Sequence, residues 1–234
     1  MTKSRHTTIR SPKRLLIVGA GNLGREVLDW ALDVPAADRD WEIGGFLDSR
    51  KSALKGLGSP VRILGNPLTF ELSKNDVLLC AIGDPRTKLE YCSKLRARGG
   101  RFITLVHPTA VLGSGNRIGV GCVLSPGAIV TTNVTLGDFV GLDLHASVSH
   151  DSVVGDGSTL SPHSTVLGRG ILGKGVLLGS HACILPRATV GDFAVVGAGS
   201  VVLRRVEPHT TVAGVPAGRV GARSSGSQIS HVSH

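Results

Sequence analysis

Every sixth position from Leu112 to Val202 is Leu, Ile or Val: Leu112, Ile118, Leu124, Val130, Leu136, Leu142, Val148, Val154, Leu160, Val166, Leu172, Leu178, Ile184, Val190, Val196 and Val202. If those residue types are allowed one position in three, chance produces such a run on the order of once in forty million, so the period of six belongs to the fold. Two residues before each aliphatic stands a mostly small residue, such as Ala110, Cys122, Ala146, Ser152, Ala182, Ala188 or Ser200. Glycine often follows the aliphatic, as at Gly113, Gly119, Gly137, Gly155, Gly173, Gly179, Gly191 and Gly197. A period of six with one obligatory aliphatic suits short strands joined by sharp corners: the aliphatic turns inward, and the glycine is expected to supply an unusual φ at the corner. Three strands make one triangular coil of eighteen residues, so residues 104–205 are expected to form a parallel β-helix of a little over five coils. A β-sandwich would show period-two alternation and irregular spacing instead.

Residues 14–103 follow another pattern. Arg14 to Val18 is a short aliphatic strand ending in Gly19-Ala-Gly-Asn-Leu-Gly24, and Leu23, Val27, Ala31 and Val34 continue at helical spacing. Glu42 to Leu47 reads as a second strand ending at Asp48, and Asp76 to Ile82 as a third. Asp84-Pro85 reads as an N-cap followed by proline at the first helical position, with Leu89, Cys92 and Leu95 inward and Gly99-Gly100 as the stop. The simplest assembly is a small parallel α/β, Rossmann-like domain. The polar ends, 1–13 and the C-terminal part of a 206–234 extension, are expected to be mobile.

Composition agrees with a repeat fold: 32 glycines stand against eight aromatics (Phe 5, Trp 2, Tyr 1) among 234 residues, which favours thin aliphatic layers and many tight turns. No stretch approaches the length of a membrane span and no secretory signal is recognisable, so a cytoplasmic protein without a membrane partner is expected. Cys80, Cys92, Cys122 and Cys183 lack CxxC spacing and are expected to be reduced core thiols. The net charge of +9 is scattered and has no aromatic interleaving, which argues against nucleic acid and is met as well by small anionic ligands.

With the repeat, the tail Val212-Ala-Gly-Val-Pro-Ala217, the GAGNLGREV unit and Ser149-His150-Asp151 in view, the chain resembles the hexapeptide acyltransferases, in particular the two-domain bacterial sugar O- and N-acetyltransferases. The resemblance implies a left-handed β-helix, a homotrimer, acetyl-CoA as co-substrate with no metal expected, and a sugar acceptor, most simply a nucleotide-linked amino sugar. It implies that His150 is the general base and Asp151 its orienting acid, a pairing that suits an imidazole acting near neutral pH. It further places Gly168 beside the thioester carbonyl as an oxyanion donor. Gly179, Gly197 and Ala198 fall on the pantetheine path, and Arg204 and Arg205 within reach of CoA phosphates. Asp143 and Thr159, near acetyl-CoA by the same resemblance, depart from the Asn and His that the subgroup often carries.

Taken alone, Gly19-x-Gly21-x-x-Gly24 with Asp48 downstream reads as a dinucleotide motif. The resemblance, through Phe46-Leu47-Asp48, instead assigns Gly19, Gly21, Asn22, Gly24 and Asp48 to the nucleotide of the acceptor. Two other readings stay open. His145, His163 and His181 recur at intervals of eighteen, and His145 and His150 share the H-x4-H spacing of the γ-class carbonic anhydrases, a zinc fold of the same kind. A non-catalytic β-helix scaffold is the third, though His150-Asp151 argues against it.

Overall fold

The computed structural model describes residues 12–220; of the two ends expected to be mobile, 1–11 and 221–234 lie outside the described residues. Lys13 already belongs to the first strand. The N-terminal domain runs β1 (Lys13–Val18), α1 (Asn22–Leu32), β2 (Trp41–Leu47), β3 (Ile63–Gly65), β4 (Asp76–Cys80) and α2 (Pro85–Ala97). Its strands form one parallel sheet in the order β3-β2-β1-β4. Leu15 to Val18 are fully buried, as a central parallel strand covered on both faces requires. Two details differ from the sequence reading. The third predicted strand stops at Cys80, and β3, whose three residues are too short to show a period, was not expected. As expected, Asp84 caps α2 by accepting the Thr87 N–H at 2.8 Å.

From Leu105 onward, two-residue strands stack into three parallel sheets, the faces of a triangular solenoid. Face 1 runs from Leu105–Val106 to Thr211–Ala213, face 2 from Val111–Leu112 to Val201–Val202, and face 3 from Arg117–Ile118 to Arg205–Val206. The register advances by eighteen residues per coil, as in Leu124↔Leu142↔Leu160 on face 1. The periodic aliphatics from Leu124 onward fill one continuous core, with Ile118 packed partly against it and Leu112 left exposed at the first coil. Leu105–Val106 and Thr211–Ala213 on face 1 and Arg205–Val206 on face 3 lie outside the perfect repeat, so the solenoid is longer than that repeat. The boundary set at residue 205 therefore falls inside it. Val190 pairs with Val206 and Val196 with Val212, sixteen positions on, because the last coil is shortened by two residues at Leu203-Arg204 and the period slips there. A final antiparallel strand, Gly218–Arg219, pairs with Val212 and Ala213 and covers part of the open end.

The corner glycines do a different job from the one expected. From Leu112 to Val196, positive φ falls three residues after each aliphatic, at Asn133, Phe139, His145, Asp151, His163, Arg169, His181, Arg187 and Phe193, or at a glycine such as Gly127 or Gly157. The glycines directly after the aliphatics keep ordinary backbone angles. They are needed for spacing: a Cβ on Gly119 or Gly155 would come within 2.5 Å of the backbone of the next coil. Stacking at strand distance leaves no room for a side chain there.

The N-terminal domain lies over face 1 and the corner between faces 3 and 1. Leu105 and Val123 join the core that includes β1 and α1, and Phe102 and Phe139 join the core under α2. Along the same corner Leu89 packs into the space left by Gly157, Arg96 stacks over Phe139 at 4.5 Å and Arg86 over Phe193 at 4.4 Å.

Candidate active site

His150 and Asp151 occupy the corner between faces 2 and 3, opposite the face that the N-terminal domain covers. Asp151 sits at the left-handed position of the turn (φ 57°), which Asp tolerates better than most residues. Its Oδ2 lies 3.0 Å from His150 Nδ1. The hydrogen bond from His150, with the Arg169 charge nearby, holds the Asp151 carboxyl below the usual carboxylate range. An ionised carboxylate only accepts, so Nδ1 carries the proton and the lone pair of the neutral ring is on Nε2. Arg169, one coil on, places its Nε 3.6 Å from the same Oδ2. The ring rests on Gly168: a Cβ there would lie 2.5 Å from Nε2. The Gly168 N–H donates to no acceptor among the described residues and stays free beside the imidazole.

The other residues assigned to the cofactor separate into two columns. Gly168, Arg204 and Arg205 follow the His150 corner toward the end of the solenoid. There Arg204, Arg205 and Arg219 line an open pocket of about 510 Å³ in which Arg205 is paired with Glu207 at 2.9 Å. Gly179, Gly197 and Ala198 follow the corner between faces 1 and 2. Gly179 has a spacing reason as well, since a Cβ would meet Ala198 N at 2.5 Å. Asp143 and Thr159 join neither column. They lie under the N-terminal domain.

The glycine turn lines a groove of about 350 Å³ with Asn22, Asp48, Arg50, Gly83, Thr87 and Tyr91. Gly19 needs its φ of 101°, and a Cβ on Gly24 would fall onto the Gly19 carbonyl oxygen. Gly21 has no such reason, as a Cβ there would meet only Arg50 at 3.6 Å. What Gly21 leaves open is approach from the groove toward the free N–H groups at the start of α1, which no side chain caps. Asp48 is buried and holds the turn: it accepts from Ala20 N–H and Arg50 N–H at 2.8 Å each and from the Arg50 guanidinium at 3.0 Å. Burial alone would raise its pKa, but these donors bring it below the ordinary value. A ligand in the groove therefore meets an acid already engaged with Arg50.

Sequence reasoning missed Lys88. Its side chain leaves α2, is only 4% exposed, and enters face 1 in front of Gly141, whose missing Cβ would stand 3.6 Å from Nζ. Nζ donates to Thr159 Oγ1 at 2.8 Å and Ser158 O at 3.3 Å, and the Thr159 hydroxyl donates to Gly83 O at 2.8 Å. Burial pulls the Lys88 pKa down to about 8. Lys88, Thr159, Asp143 and Gly83 line a cavity of about 30 Å³ between the domains, and burial pushes the Asp143 carboxyl above the usual range. Position 88 carries no motif; the only sequence signal is a cation on the side of α2 facing inward with Cys92 and Leu95.

His145, His163 and His181 stack at the corner between faces 1 and 2, with centroids 5.1 and 4.8 Å apart and rings within 11° of parallel. His150 stands at another corner, so within one chain it does not share an ion with His145. No group of three His, Cys, Asp or Glu side chains suited to a metal occurs among the described residues. No helix among them is long and apolar enough to cross a membrane.

Residues 14–95 match the PglD N-terminal domain family. No curated protein sequence matches the chain. Among solved structures, the acetyltransferase domain of PglB from Neisseria gonorrhoeae FA1090 is 28% identical with a TM-score of 0.80, covering 89% of this chain and 100% of that one. PerB from Caulobacter crescentus, solved with CoA and GDP-perosamine, is 27% identical with a TM-score of 0.78, covering 88% and 97%. WeeI from Acinetobacter baumannii AYE, 24% identical with a TM-score of 0.77, shares the fold. The resemblance read from the repeat and the glycine turn is thus borne out: the chain has the two-domain build of the hexapeptide-repeat sugar acetyltransferases.

Proposed function

We propose that this chain is an acetyl-CoA-dependent sugar N-acetyltransferase, transferring acetyl directly to an amine on a nucleotide-linked sugar. The observation that carries the reading is the His150–Asp151 pair seated on Gly168, in a chain whose relatives PglB and PerB were solved with acetyl-CoA and with CoA plus GDP-perosamine. His150 Nε2 removes the proton from the acceptor amine as it attacks the thioester carbonyl, and Asp151 holds the tautomer and stabilises the imidazolium. The Gly168 N–H donates to the oxyanion of the tetrahedral intermediate. Collapse of that intermediate expels the CoA thiolate, and the imidazolium supplies its proton.

Two features of the chain support a working unit larger than one copy. The nucleotide groove opens near Gly83 and Thr87 on the covered side of the solenoid, whereas His150 is on the opposite corner. The two columns of cofactor residues also run along different corners of the prism. Packing the His150 corner of one copy beside the corner carrying Gly179, Gly197 and Ala198 of another brings both columns to one groove, as a homotrimer does. Acetyl-CoA lies in that groove with its phosphates toward Arg204 and Arg205. The acceptor nucleotide binds at Gly19, Gly21, Asn22 and Gly24, with Asp48 holding the turn. The protein works in the cytoplasm, where acetyl-CoA and nucleotide-sugars are available.

A thiol-release assay with acetyl-CoA against nucleotide-linked 4-amino and 3-amino sugars and sialic acid, with and without zinc, tests the reading. Thiol release with an amino sugar, independent of zinc, is the expected outcome. Silence across the panel together with stoichiometric zinc would favour the γ-type metal enzyme.

A further inference from the structure

Lys88 is a buried ammonium with an unfilled donor. Of its three N–H groups, two meet Thr159 Oγ1 and Ser158 O. No carboxylate pairs with it among the described residues: Asp84, on the preceding turn, spends Oδ1 on the Thr87 N–H and hydroxyl. Buried cations are ordinarily paired, because an unpaired charge out of water is costly. The space before Nζ is kept open by Gly141, where the neighbouring strands of the same face carry Val123 and Thr159. The cavity has room for one or two water-sized atoms rather than for a sugar ring. It adjoins the nucleotide groove, since Leu23, Ile82 and Gly83 line both.

We propose that Lys88 is a specificity residue for the acceptor, taking one anionic oxygen of the nucleotide-sugar into the cavity between the domains. The proposal rests on the nucleotide-sugar reading of the groove. Such an oxygen has two sources, the diphosphate and a carboxylate on the sugar, and both offer the single negative acceptor that the spare N–H lacks. Thr159 couples the site to the groove, because its hydroxyl, accepting from Lys88, donates to the Gly83 carbonyl on the groove wall.

Calorimetry on the full chain near pH 7, with and without Lys88→Met, separates the sources. Diphosphate as the source predicts that UDP, GDP or dTDP, whichever binds, weakens by about tenfold to hundredfold in the variant while the matching monophosphate is unchanged. A sugar carboxylate predicts unchanged diphosphates and loss of the preference for UDP-glucuronate over UDP-glucose. Unchanged affinities throughout would overturn the inference and leave the transfer reading standing, which the thiol-release assay reports independently. A protein that binds none of these nucleotides overturns the inference and the nucleotide assignment together.

The unaltered protein gives a second test that needs no substitution. The groups facing Lys88 are Cys80, Cys92, Cys122 and Asp84, with Asp143 across the cavity. Affinity for the anion that Lys88 holds should fall as pH rises through about 8, and a flat profile counts against the assignment.

Discussion

The corner bearing His150 and the cavity bearing Lys88 solve the placing of a reactive group in opposite ways. At the corner, acid and imidazole are neighbours in sequence, both exposed, and the turn orients them. Under the N-terminal domain, the ammonium comes from α2, its acceptors from face 1 some seventy residues later, and the hole it enters from Gly141. The exposed pair is held by local geometry and contributes little to stability, since surface ion pairs are weak. The buried lysine is held by the packing of two domains, and its charge costs stability in return for a polarised site.

That contrast can be broken most strongly at His150. His150→Ala should lower turnover by about a hundredfold or more with the melting temperature almost unchanged; near-normal turnover would remove His150 from its role. Alanine in place of glycine sharpens the contrast next. Gly24→Ala puts a methyl into the Gly19 carbonyl, a backbone atom that cannot step aside, and should cost about 2–4 kcal/mol by chemical denaturation. Gly168→Ala meets only the end of an exposed ring, so it should leave stability nearly intact and lower turnover about tenfold by displacing His150.

The smallest effect is the pH dependence of stability. Folding lowers the Lys88 pKa from 10.5 to about 8, so the native state holds this proton less tightly than the unfolded chain. The penalty is therefore full below pH 8 and fades as pH rises toward 10.5. Between pH 8 and 9 the unaltered protein should gain stability relative to Lys88→Met, by at most about 1.4 kcal/mol per pH unit. Parallel urea-unfolding curves across that window would mean that Lys88 is not desolvated.

Much of the site was legible because its signals are short-range. His150-Asp151 is a dipeptide, and Gly168 follows it by one coil, so counting eighteen residues finds it. The glycine turn was legible too, though the division of labour within it was not: only the fold shows that Gly19 and Gly24 serve the turn while Gly21 faces the groove. Asp48 reads as a ribose ligand by position, and the structure shows its carboxylate engaged with Ala20 and Arg50. Asp143 and Thr159 read as cofactor contacts by resemblance, and the structure places them at the domain interface. β3 and the last, shortened coil escaped because three residues carry no period and a two-residue deletion hides one.

Sequence by itself determined the solenoid, because a six-residue repeat is a local rule: each aliphatic turns inward whatever the other coils do. It likewise determined the existence of the α/β domain and the place of the exposed His150-Asp151 pair in the repeat. Only the tertiary structure decided which glycines serve spacing and which residues bear positive φ, since both depend on how closely successive coils stack. It also decided that the groove at the glycine turn and His150 lie on opposite sides of one chain, and that Lys88 is buried beside a cavity. Those are consequences of how the N-terminal domain docks on one face of three, and no period along the chain encodes that choice.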